Sequence, residues 1–248
     1  MDAILLAGGY ATRLYPLTLN RPKALLPVGG RPILDHLVDV LDACGEIARM
    51  FLVTNSKFAV HFSHWAAARG PGKPFSIVDD GTASNETRLG AIGDIQFVLD
   101  RAEVDTKDGL YVLGTDNLAR FDITEIIRLS RSRKADAIFA CHTKDLGRLR
   151  RMGVAVVDET GRVTDFEEKP QNPKSDLCVP PFYAYTAPSV GLIWRYLKEG
   201  NNPDAPGHLV AWMIRQRPVY ACVAPEPTYD IGTVESYEEV CRTFGDRP

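Results

Sequence analysis

The sequence predicts an α/β fold: a mixed, mostly parallel central sheet with helices on both faces and a smaller elaboration in its second half. Three observations carry this. Short, near-continuous apolar runs recur, bounded by Gly, Asn or Asp, as strands buried on both faces require. Segments with helical apolar spacing alternate with these runs. After about Met152 the texture changes to a hairpin followed by a proline-rich stretch.

The first strand is expected at residues 3–6, and others at 50–54, 110–114 and 137–141. Between the first two, Leu34, Leu37, Val38 and Leu41 follow the i, i+3, i+4, i+7 rule. Pro32 suits a first helical position and Gly45 a stop. Asp122 with Glu125 three residues on reads as a capping box opening DITEIIRLSRSR. Strand–helix alternation of this kind implies parallel pairing. Residues 154–157, a turn at Gly161 and residues 163–166 then read as a hairpin. Prolines crowd residues 170–188. Helical patterns follow around 190–197 and 208–215, with one more strand at 219–223. No internal repeat or low-complexity linker divides the chain, so residues 1–248 are read as one domain.

Composition narrows the class of function. The 248 residues are 45% hydrophobic and 25% charged, an ordinary globular balance, and the net charge of -3 gives no sign of a nucleic-acid or membrane-surface partner. Five cysteines at wide spacings form no C-x-x-C pair, which argues for reduced thiols rather than a disulfide framework or zinc knuckle. The start, MDAILLAGG, lacks a basic leader, and no apolar run approaches the roughly 20 residues that span a bilayer. A cytoplasmic protein is the expectation.

The most informative stretch is LAGGYATRLYPLTLNRPKALLPVGGRP, residues 6–32. It starts at the carboxyl end of a buried strand, where open α/β sheets place ligands. Gly8 and Gly9 let backbone N–H groups approach an anion, and Thr12 adds a hydroxyl. Arg13 and Lys23 supply the positive charge that a triphosphate needs. Gly-Gly after a strand is by itself only a tight turn; with Arg and Lys in the same loop it points to phosphate. It is neither a G-x-G-x-x-G fingerprint nor a P-loop.

This stretch resembles the signature of the sugar-phosphate nucleotidyltransferases, L-A-G-G-x-G-T-R-L-x-P-L-T-x-x-x-P-K-x-L-x-P, departing from it at Ala11 where glycine is usual. Three further segments resemble that family in order: VLGTDNL, DFEEKP and TYDIGTVESY. The resemblance implies a Rossmann-like fold. Residues 1–150 would mainly bind nucleotide, and residues 151–248 would bind the sugar phosphate and supply a second metal ligand. It implies nucleotide contacts from Leu6, Ala7, Gly8, Gly9, Thr12, Arg13 and Lys23, with Arg13, Lys23 and Asp116 catalytic. It implies Mg²⁺ held by Asp116 and Asp230, and a sugar phosphate held by Glu168 and Lys169. Gly81, Thr82 and Asn85 fall in the segment that reads the base.

The implied reaction is attack of a sugar-phosphate oxygen on the α-phosphorus of a nucleoside triphosphate, giving an NDP-sugar and pyrophosphate. The substrate partners are then a nucleoside triphosphate and a sugar 1-phosphate, or a similar phosphorylated alcohol. Pro180-Pro181 stands where relatives often carry a glycine, and any homo-oligomer would form through this same domain. Two alternatives remain at this stage. A nucleotide-sugar-dependent glycosyltransferase would want a D-x-D motif, which Thr115-Asp116-Asn117 does not provide. A non-catalytic regulatory subunit would have no need of Arg13, Lys23, Asp116, Lys169 and Asp230 together. His61 and His64 have helical spacing without an evident third ligand, and Arg148, Arg150 and Arg151 read as a solvated basic loop.

Overall fold

A computed structural model describes residues 1–245. In chain order the strands are β1 (Asp2–Ala7), β2 (Pro27–Val28), β3 (Arg31–Pro32), β4 (Met50–Thr54), β5 (Phe75–Asp79), β6 (Leu110–Gly114), β7 (Asn117–Leu118), β8 (Asp136–His142), β9 (Gly153–Val157), β10 (Val163–Glu168), β11 (Leu177–Val179), β12 (Phe182–Tyr185), β13 (Val219–Val223) and β14 (Tyr229–Asp230). The α-helices are α1 (Ile33–Ala43), α2 (Ala59–Ala68), α3 (Ala91–Arg101), α4 (Glu125–Arg133), α5 (Leu146–Leu149), α6 (Ala187–Lys198), α7 (Pro206–Met213) and α8 (Val234–Gly245).

Ten strands form one mixed sheet in the order β10-β9-β11-β8-β12-β6-β1-β4-β5, with β13 beside β8. Following the pairings, seven of the ten run in one sense, and β10, β11 and β12 run against them. The buried strands send alternate residues to opposite faces. Ala3, Leu5, Leu52, Tyr111 and Phe139 join a core under α1, α2, α4 and α8. Ile4, Phe51, Val53, Val112 and Ile138 join a second core under α3, α6 and α7. A fully buried side chain such as Ile4 contributes roughly 1.5–3 kcal/mol. Among the described residues no helix is long and apolar enough to cross a membrane.

Local signals were displaced in two places. Pro32 closes β3 and caps α1 from outside rather than opening it, and the helix ends at Ala43, before Gly45. Asp122 makes no capping box with Glu125. Its Oδ1 accepts from the Thr124 N–H and hydroxyl, at 2.8 and 2.5 Å, and α4 starts only at Glu125. A reciprocal cap occurs instead at α8, where Thr233 Oγ1 accepts from Ser236 N and Ser236 Oγ from Thr233 N.

One irregularity shapes the sheet. From Cys178 to Tyr183 the chain advances five residues, while its antiparallel partner β8 retreats three, from Cys141 to Ile138. The two surplus residues belong to the Pro180-Pro181 break. With no proline N–H to give to a ladder, the chain swings there from the side of β9 to the side of β6. Gly114 N donates to Pro181 O at 2.8 Å and re-attaches the strand.

Candidate active site

The carboxyl ends of β1, β4 and β6 open on one side of the sheet, and the loop after β1 crosses them. Gly8 lies against the carboxyl groups of Asp94 and Asp80, so closely that a Cβ there would run into Asp94. Ala11 adopts left-handed geometry (φ 47°, ψ 42°), which costs an L-residue roughly 1–2 kcal/mol and accounts for glycine being usual in the pattern. Lys23 opens a single 3₁₀ turn that follows Pro22.

Lys23 Nζ lies 2.6 Å from Asp116 Oδ2 and 3.0 Å from Ile231 O. Asp116 follows β6 and is brought to Asp230 by the short β7·β14 ladder, which pairs Asn117 with Asp230. Asn117 Nδ2 donates to both carboxylates, at 3.1 Å to Asp116 and 3.3 Å to Asp230. Its Oδ1 accepts from Thr228 at 3.0 Å, and Thr228 accepts from Arg148 at 2.8 Å. Burial alone would raise the Asp116 carboxyl. The Lys23 charge, with hydrogen bonds from Lys23 and Asn117, outweighs it and holds Asp116 below the ordinary carboxylate value. Asp230 moves the other way, pushed up by burial and then by the Asp116 charge, against Lys23, Arg148 and Arg13.

Glu168 ends β10, and Lys169 turns out of the strand with φ 51°. That left-handed residue lets two neighbours, which a strand would point to opposite faces, line the same cavity of about 440 Å³ with Asp116, Asp230, Arg13 and Arg151. Glu168 is buried against Gly207, where any Cβ would run into its carboxyl. Burial raises Glu168, offset in part by Lys169.

A second cavity of about 220 Å³ shares Asp116, Pro181, Asp204 and Pro206 with the first and continues over Leu6, Gly8 and Gly9 to Gly90, Ala91 and Asp94. Thr12 is exposed, and Ala7 closes β1. The structure does not bring Gly81, Thr82 or Asn85 to this cavity. Gly81 and Asn85 are exposed, and Thr82 is buried in turn bonds, its N–H donating to Asp80 Oδ1 at 2.6 Å and its carbonyl accepting from Tyr10 and Ser56. The chain passes them before it reaches the cavity wall at Gly90. Asn117, Thr228 and Arg148 were missed as site residues. Arg148 had read as part of a solvated loop, whereas it is half-buried and tied to Thr228. Among the described residues no group of three or more His, Cys, Asp and Glu side chains could hold a metal; α2 carries both His61 and His64.

The Asp94 carboxyl is pushed up to about 7, first by burial and then by Asp80. An unfolded Asp titrates near 3.9. The folded state therefore favours the protonated form, so this stabilisation is complete below about pH 4 and is lost as pH rises through about 7. Asp94→Asn is expected to gain stability on the parent between pH 4 and pH 8, by up to roughly 4 kcal/mol. Urea unfolding of both proteins at the two pH values checks this; parallel pH dependence would refute it.

The comparison with known proteins decides the family. A family model described as nucleotidyl transferase matches residues 2–246. The chain belongs to the nucleotidyl transferase family. This nucleotidyltransferase is an enzyme by that membership, and its curated relatives carry the same chemistry in their names. It is 31% identical to a UTP–glucose-1-phosphate uridylyltransferase of Haloferax volcanii over 75% of this chain and 72% of that one. A glucose-1-phosphate adenylyltransferase of Geobacter metallireducens is 30% identical over 96% of this chain, which spans 64% of its length. In fold, the nucleotidyltransferase matches a UDP-glucose pyrophosphorylase complexed with UDP-glucose (TM-score 0.80, 19% identity, 98% and 97% coverage). It also matches a CTP:phosphocholine cytidylyltransferase from Streptococcus pneumoniae (TM-score 0.76, 20% identity, 98% of each chain).

Proposed function

We propose that this enzyme transfers a nucleoside monophosphate from a nucleoside triphosphate to a sugar 1-phosphate, forming an NDP-sugar and pyrophosphate. One observation carries the reading: Lys23, Asp116, Asn117 and Asp230, from segments far apart in sequence, converge where the Gly8–Gly9 cavity meets the Glu168–Lys169 cavity. A triphosphate laid over Gly8 and Gly9 places its α-phosphorus near Lys23, with Arg13 on the rim beside the leaving phosphates. Lys169 holds the acceptor's phosphate and Glu168 its hydroxyls. The attacking oxygen is already anionic, so the residues align two anions and no general base is needed. A new P–O bond forms at the α-phosphorus as the bond to the β-phosphate oxygen breaks.

Asp116 and Asp230 fit Mg²⁺, which takes one or two carboxylates and completes its shell with water and phosphate oxygens. Bound there, the ion would neutralise charge on the phosphates. The Asn117 amide holds the two carboxylates side by side, and Lys23 neutralises Asp116 within the protein.

Pyrophosphate release measured for each triphosphate against a panel of sugar 1-phosphates tests the reading. Phosphocholine belongs in that panel, because Pro181 on the acceptor side of the cleft has no N–H to offer a sugar. Release with no pair would reject it. Lys169→Ala is expected to raise KM for the acceptor about tenfold or more, with a smaller change for the nucleotide. An equal rise for both substrates would remove Lys169 from its role.

A further inference from the structure

Behind the paired carboxylates runs a relay of hydrogen bonds that ends in a cation. Arg148 belongs to α5, a single turn capped by Asp145, whose Oδ1 accepts from the Arg148 N–H at 3.1 Å. Arg148 Nη2 donates to Thr228 Oγ1 at 2.8 Å, and Thr228 Oγ1 donates to Asn117 Oδ1 at 3.0 Å. Asn117 Nδ2 then donates to Asp116 and Asp230, at 3.1 and 3.3 Å. Thr228 and Asn117 are each only 2% exposed, so a link lost here leaves a buried polar group without its partner.

The direction of the relay is set at its charged end. A guanidinium donates and never accepts. The Thr228 hydroxyl, receiving from Arg148, must therefore direct its single proton to Asn117 Oδ1. That fixes the amide with its oxygen toward Thr228 and its NH₂ toward the carboxylates, which when ionised only accept. Both ends demand the same orientation, and the amide cannot turn without unpairing a buried oxygen. The Arg148 charge also bears on Asp230, against the burial and the Asp116 charge that push that carboxyl up.

We propose that Arg148 is a positioning residue for the Asp116–Asp230 pair: through Thr228 and Asn117 it fixes the amide that keeps two like-charged carboxylates side by side before a divalent cation arrives. The inference rests on the shared-ion reading given above. It assigns to a loop arginine and a buried threonine a part in metal affinity, although neither touches the ion.

Mn²⁺ binding to the full chain without substrates, read from the loss of the free-ion electron paramagnetic resonance signal, tests this. Arg148→Met keeps the stem of the side chain, and Thr228→Val keeps the side-chain shape together with the Arg148 charge. Each is expected to weaken Mn²⁺ binding about tenfold or more, the scale of loss when a partner of metal ligands is removed. The double variant should bind no more weakly than either single one, because both cut the same relay. Thr228→Ser restores the hydroxyl and should bind Mn²⁺ within about threefold of the parent. Turnover lost by Thr228→Val should return as Mg²⁺ is raised, which a merely structural defect would not allow. Parent-like Mn²⁺ binding by folded Thr228→Val, with Arg148→Met weakened, leaves Arg148 acting by charge alone and overturns the relay. Parent-like binding by folded Arg148→Met overturns the role of Arg148; should that variant fail to fold, Thr228→Val decides. Equal Mn²⁺ binding by the parent and Asp230→Asn overturns the shared-ion reading, and this inference with it.

Discussion

Lys23→Ala is expected to lower turnover by about 100-fold or more at saturating substrates while the fold survives. The ammonium makes two hydrogen bonds, to Asp116 Oδ2 and Ile231 O, and so touches one of the two carboxylates directly. In the proposed reaction it faces charge that develops at the α-phosphate, and a donor fixed in advance acts there without reorganising. Its loss also leaves Asp116 and Asp230 facing each other without their internal counter-charge. Arg13→Ala should fall in the same direction, since Arg13 lines the cavity that holds Asp116 and Asp230. Steady-state kinetics with circular dichroism as the folding control decide the matter. Near-normal turnover in a folded Lys23→Ala protein would remove Lys23 from the reaction.

Asp230→Asn is expected to separate stability from activity. The parent holds a carboxylate against Asp116, a like charge that pushes the Asp230 pKa up after burial has already done so. Asparagine keeps the shape and removes the repulsion, so the unfolding midpoint should hold or rise. Activity should nonetheless fall about 100-fold or more, because the proposed divalent cation relies on both negative charges. The Mg²⁺ concentration for half-maximal rate should rise, and Asp116→Asn should raise it too, at a cost in stability because Lys23 loses its ion pair. If the Mg²⁺ dependence of Asp230→Asn matched the parent, the shared ion would be wrong. A loss of activity that tracked a loss of stability would mark the aspartate as merely structural.

The strands that carry the site were legible because each is buried on both faces. Residues 50–54 and 110–114 appear at the boundaries their apolar runs indicate. The edge strand β5 was not read, since none of its positions is fully buried and it has no continuous apolar run. Asp116 and Asp230 were legible as motif residues, but the Asn117 amide between them was not, because the β7·β14 ladder joins segments 113 positions apart. Asp94 was missed for another reason. Between Ile92, Ile95 and Val98 it occupies a buried helical stripe, and a charge on such a stripe was itself the available signal. The misplaced cap at Asp122 shows the limit of local patterns. An Asp-x-Thr turn and an Asp-x-x-Glu box share the same first residue, and the turn won.

The proline break between β11 and β12 has a mechanical consequence. Beyond it β11 carries the sheet on to the β9–β10 ribbon, a fixed jaw of a calliper with Glu168 and Lys169 at its tip and α7 packed against it. Ladder hydrogen bonds through β11 join the jaw to β8, and the break adds a second restraint. Here two pyrrolidine rings fix φ near −65°, and Gly114 clamps the carbonyl of the second. The span between the acceptor side and Lys23 is therefore gauged in part by covalent geometry. An enzyme that brings together two mutually repelling anions gains from a tool whose opening the substrates cannot force wider.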